Sequence, residues 1–124
     1  MRKLVLALAA CALAGCASAT ADLSAAKVKA DAAVQTASQS LPQACLAVNA
    51  AHDLFLVAAA YTPAVAAQQA TELQVFTGLT TGAGLCSAAT LANPPTDTAS
   101  AVAAIIKQTL AIHALAQPAI VAAQ

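Results

Sequence analysis

Apolar residues recur along this chain with a helical period, and no stretch alternates apolar and polar residues long enough to suggest a strand. The first stripe after Thr20 is Leu23, Ala26, Ala30, Ala33, Val34, Ala37 and Leu41, spaced mostly three and four apart. Thr20 suits an N-cap, and Asp22 in the first turn complements the helix dipole. Lys27 and Asp31 form an i,i+4 pair. Most of the stripe is Ala, so this helix buries little side chain and is expected to be the least stable element.

Ser40-Leu41-Pro42 should end that helix and start the next, with proline tolerated in the first turn. The second segment, Gln43 to Tyr61, is the most apolar. Cys45, Leu46, Val48, Leu54, Phe55, Leu56 and Val57 cover most of its circumference, which implies a buried central helix or a membrane span. Asn49, His52 and Asp53 interrupt the run and favour the buried helix. Thr62-Pro63 is a second start signal. A third helix is predicted from Pro63 to about Thr77, with Val65, Ala66, Leu73 and Phe76 inward, Gln68 and Gln74 outward, and Gly78 as its stop. Leu79 to Thr98 contains Gly82, Gly84, Asn93 and Pro94-Pro95 and reads as loop, with one helical turn near Ser87–Leu91. The last helix should start near Thr96–Thr98 and end near Pro118. Its face is Val102, Ile105, Ile106, Thr109, Leu110, Ile112, His113 and Ala116, the clearest amphipathic stripe in the chain. The fold expected is all-α: a small Ala-rich antiparallel bundle of about four helices, because short connections near residues 41 and 62 make neighbours antiparallel.

Composition narrows the partners. Hydrophobic residues make up 60% of the 124 and charged ones only 8%, so polar recognition is sparse. The aromatics are Phe55, Tyr61 and Phe76, with no Trp, which argues against base-stacking or sugar-binding platforms. Beyond residue 15 the charges are Lys27, Lys29 and Lys107 against Asp22, Asp31, Asp53, Glu72 and Asp97. That balance leaves no basic patch to meet phosphates, and nucleic acid is not an expected partner.

The N-terminus has its own pattern. Arg2 and Lys3 precede a run without polar residues from Leu4 to Ala12, followed by small residues, which is the layout of an export signal. The run is too short to span a bilayer. Leu13-Ala14-Gly15-Cys16, an aliphatic residue, two small ones and a cysteine, resembles the lipobox of bacterial lipoproteins. The resemblance implies diacylglycerol on the Cys16 sulfur, removal of residues 1–15, a short tether over residues 16–20 and a helical body over residues 21–124. Two or three acyl chains, at about 0.8 kcal/mol per buried methylene, would hold the chain to a membrane almost irreversibly. By the family's sorting logic Ala17, where aspartate would favour the inner membrane, leans towards the outer membrane with the body facing the periplasm. The alternative is an unlipidated secretory signal cut at Ala17-Ser18-Ala19.

With Cys11 in the signal and Cys16 taking lipid, Cys45 and Cys86 remain. In an oxidising exported compartment two such residues are expected to pair. A bridge closing a loop of about 40 residues would contribute roughly 4 kcal/mol in the chain-entropy model. The other readings are two free buried thiols or a metal pair. The bridge would also fasten the long loop onto the central helix.

No catalytic constellation emerges, and the chain is expected not to be an enzyme and to need no cofactor. His52 shares a helix face with Asn49 and Cys45, and His113 lies within the last stripe. Together with Asp53 or Glu72 they are the weak candidates for a metal or acid–base site, against the reading that each is a satisfied core or boundary histidine. Gly82-Ala83-Gly84 lacks the lysine and preceding strand of a phosphate cradle. The function expected is that of a non-catalytic envelope lipoprotein, a structural or interaction module that meets a protein partner or itself. The alternatives are a phage or prophage lysis lipoprotein of the outer-membrane spanin type, and a carrier of a small ligand or metal.

Overall fold

The computed structural model describes residues 20–122; the export segment and Cys16 lie outside the described residues. Every element described is helical. Helix α1 covers residues 20–36 and tightens into a 3-10 turn at Ala37–Gln39. Ser40 then adopts an extended backbone, and its side chain accepts a hydrogen bond from the Gln43 N–H at 3.3 Å. With Pro42 in the first turn, this is the start that Ser40-Leu41-Pro42 predicted. Helix α2 runs Leu41–Tyr61, α3 Pro63–Ala66, α4 Gln69–Thr80, α5 Ala88–Ala92 and α6 Thr98–Ala122.

Helix α2 is the axis of the body. It buries Leu41, Ala44, Cys45, Ala47, Val48, Ala51, Leu54, Phe55 and Ala58. Both α2 and α6 are long and apolar enough to cross a membrane by length and composition alone, but half of the most apolar window of α2 is buried inside the body. The core divides along α2 into two halves. Around Leu41, Ala44 and Val48 gather Ala37, Leu79, Ala101, Val102 and Ile105. Around Ala51, Leu54, Phe55 and Ala58 gather Leu23, Ala30, Val65, Ile112, Ala116 and Ile120. These groupings set directions. The start of α1 meets the end of α2, so those two run oppositely, and so do α2 and α4. Helix α6, the main neighbour of α2, passes from the first half to the second in the same sense as α2. Val75 and Phe76 of α4 touch both halves.

The Ala-rich stripe of α1 is used as the pattern implies: Leu23, Ala30 and Ala37 are buried, and Ala26, Ala33 and Val34 partly so. The third predicted helix differs. It breaks at a turn over Ala67 and Gln68 and resumes as α4, which continues through Gly78 to Thr80. A Cβ at Gly78 would meet nothing within 4 Å, so this glycine faces open space and carries no turn. The next residue, Leu79, is buried, and its packing outweighs the roughly 1 kcal/mol that glycine costs a helix. The reversal falls at Gly82, whose φ of 59° favours a residue without Cβ. Helix α6 likewise runs through Pro118 to Ala122, because Ala119 and Ile120 extend its buried stripe. Leu73 and Leu110, expected inward, are half exposed.

Candidate functional site

The most concentrated polar chemistry is a pair between α2 and α4. Glu72 occupies the inward position that the sequence pattern gave to its neighbour Leu73, and it is only 1% exposed. Its Oε1 lies 2.5 Å from Nδ1 of His52. The His52 ring stacks on Phe76, one helical turn beyond Glu72, with centroids 3.7 Å apart and planes within 7°. Nδ1 of His52 and the Glu72 carboxyl thus share one hydrogen bond. One face of α4 therefore supplies a hydrogen-bond partner and a flat apolar surface to one imidazole. The arrangement fixes the position of the His52 ring and ties α4 to the middle of α2. Asp53, the other carboxylate considered for this histidine, is exposed on the outer side of α2.

His113 sits at a different interface. Its Nε2 is 3.4 Å from Oδ1 of Asp31 on α1, at ion-pair distance, and makes no hydrogen bond although the atom is buried. The Lys27 ammonium donates to Oδ2 of the same aspartate at 2.7 Å. The hydrogen bond from Lys27 holds the Asp31 carboxyl below the usual carboxylate range; burial opposes it, and the charges of Lys27 and then His113 add to the lowering. The i,i+4 partner was legible in the sequence. The contact across to α6 was not, because it depends on how α1 and α6 are aligned. Thus His52 and His113 are held by separate carboxylates, and no group of three or more His, Cys, Asp or Glu side chains converges among the described residues.

Cys45 and Cys86 are joined in a disulfide with Cα atoms 5.5 Å apart across a sequence separation of 41. The loop after α4 is built to deliver Cys86. Its N–H donates to the Leu79 carbonyl at 2.7 Å, and Gly84 lies so close to the carbonyls of Gly78 and Leu79 that a Cβ would collide with them. Ser87 then caps α5 through the Thr90 N–H, and the Thr90 hydroxyl returns to the Gly84 carbonyl at 2.7 Å. The bridge fixes this folded-back loop against the first half of the core, as expected from the cysteine count.

A groove of about 650 Å³ opens at the end of the body where α2 and α6 begin. Ser40, Pro42, Leu91, Pro94, Val102 and Ile106 are among its walls, and no charged side chain lines it. Nothing in it provides a strong nucleophile, an acid or a metal ligand. No family model, curated protein or solved structure matches this chain.

Proposed function

We propose that the chain is a lipid-anchored, non-catalytic lipoprotein of the bacterial cell envelope, whose helical body acts as a structural or interaction module. The observation that carries this reading is the Cys45–Cys86 bridge in the body of a chain that begins with a lipobox-like Leu13-Ala14-Gly15-Cys16. Disulfides persist in exported, oxidising compartments, so the bridge and the export-type N-terminus point to the same place. The polar pairs favour a scaffold as well: both join helices, His52 to Glu72 and His113 to Asp31. Ala17 after the cysteine favours the outer membrane, with the body in the periplasm and contact with a protein partner or a second copy as its mode of action.

Fractionation tests the anchor. The wild-type chain should sediment with membranes and label with radioactive palmitate, while Cys16→Ser should lose the label and move to the soluble fraction. A Cys16→Ser chain that remains membrane-bound to the same extent would contradict the reading.

A further inference from the structure

Large apolar side chains are exposed on several helices, Leu46, Leu73, Leu91, Leu110 and Val121 among them, and three lie near the start of α1. Val28 of α1 is 66% exposed, and Leu56 and Tyr61 of α2 are 46% and 52% exposed. They share the outer side of the α1/α2 pair in the half where α1 begins and α2 ends. A shallow groove there is lined by Asp22, Ala25, Leu56, Val57, Ala60 and Tyr61. A second, reached through the shared Ala25, takes in Val28 and ends at Lys29 and Asp53. An apolar strip thus runs from the first turns of α1 towards the middle of the body, with Asp22 at one end and the Lys29 and Asp53 charges at the other.

We infer that this α1/α2 face lies against the bilayer that holds Cys16, an inference that rests on the lipid-anchor reading. Only residues 17–19 separate Cys16 from α1, and an extended chain spans no more than about 3.6 Å per residue. Val28 is eight residues into α1, or roughly 12 Å at 1.5 Å per residue. The strip therefore lies within roughly 26 Å of the anchor, close enough to meet the headgroup layer when the α1/α2 face turns towards it. Tyr61 has the composition of an interfacial side chain, an apolar ring with a polar tip, and its hydroxyl donates to Asp22 at 3.4 Å. The charges along the strip nearly cancel, so its partner is the neutral interfacial layer of the membrane, and anionic lipid is not required. Tethering supplies a high local concentration of the face, so a weak apolar contact is enough to orient the body. The groove beside α5 and the start of α6 lies at the other end of the bundle, outside this strip, and this orientation leaves it uncovered.

The chain contains no Trp, so a single substitution gives a unique fluorescent reporter. Full-length Tyr61→Trp and Lys107→Trp chains, the second on the exposed side of α6, are purified in their lipidated form. Each is reconstituted into phosphatidylcholine vesicles with brominated acyl chains. The expected result is blue-shifted indole emission from the Tyr61→Trp chain, quenched at least about twofold more than that of the Lys107→Trp chain, with no change on adding anionic lipid. Equal quenching in the two variants, in chains whose mass shows acyl groups on Cys16, would overturn this inference and leave the anchor standing. Blue-shifted emission from the Tyr61→Trp chain that the brominated lipid does not quench would assign the face to a second copy of the chain and also overturn it. A chain without acyl mass would defeat the anchor reading and the inference together.

Discussion

At the scale of single residues, the body depends on a few polar groups placed where an Ala-rich core has none to spare. Glu72 is the sharpest case, a carboxylate 1% exposed whose hydrogen-bonded partner is His52. Removing one member of a buried hydrogen-bonded pair leaves the other unsatisfied, at a cost of about 1–3 kcal/mol, and more for a charged group. His52→Ala should therefore lower the urea midpoint strongly. Adding Glu72→Leu should recover much of the loss, and a double variant no more stable than His52→Ala would contradict the pairing. Carboxylates at the surface set the response to acid. Asp97 caps α6, accepting from the Ser100 N–H at 3.0 Å and the Ser100 hydroxyl at 2.7 Å. Those bonds hold its carboxyl below the ordinary range. A group with a depressed folded pKa stabilises above its unfolded value, near 3.9, and loses that contribution as pH falls through the folded value. Asp31 behaves in the same way, although its half-exposed pair with Lys27 is worth less than about 1 kcal/mol. Asp97→Asn should consequently be less sensitive than wild type to acid below about pH 4, read as urea midpoint against pH. An unchanged acid slope would argue against this assignment.

At the scale of elements, the sequence pattern reads best where a local signal and the core agree. Ser40 and Pro42 start α2, Ser87 caps α5, and the stripe from Val102 to Ala116 lies inward in α6 except at Leu110. It fails where tertiary packing overrides a local signal. Gly78 and Pro118 look like ends, yet the buried Leu79, Ala119 and Ile120 draw both helices onward. The inward face of α4 is displaced by one residue, from Leu73 to Glu72, which meets His52; a hydrophobicity pattern gives a charged residue no inward weight. The histidine candidates were visible as residues, but their partners depend on interhelical alignment. Two predictions belong here. Pro118 lacks the N–H that a helix interior uses, and it is exposed, so Pro118→Ala should stabilise α6, by up to about 3 kcal/mol. Loss of the Cys45–Cys86 bridge, by Cys45→Ala with Cys86→Ala, should cost roughly 4 kcal/mol by loop entropy. It should also speed amide exchange first in α5 and the turn that carries Cys86. Uniform protection after removal of both cysteines would mean that the loop is held without the bridge.

At the scale of the whole molecule, two opposite ends have different characters. The end where α1 begins carries the exposed Tyr61 and Leu56 and lies four residues after Cys16 in the sequence. The end where α2 and α6 begin carries the disulfide, the folded-back loop and the uncharged groove. An anchor on Cys16 would hold the first end and its α1/α2 face at the membrane and leave the groove at the second end uncovered, which suits a module that works by contact. The most direct measurement is the intact mass of the chain extracted from the membrane fraction, before and after reduction with alkylation. An envelope lipoprotein predicts a species that begins at Cys16, carries acyl mass, and takes up alkylating reagent at Cys45 and Cys86 only after reduction. A soluble, unacylated species cut after Ala19, or one whose two cysteines alkylate without reductant, would contradict it.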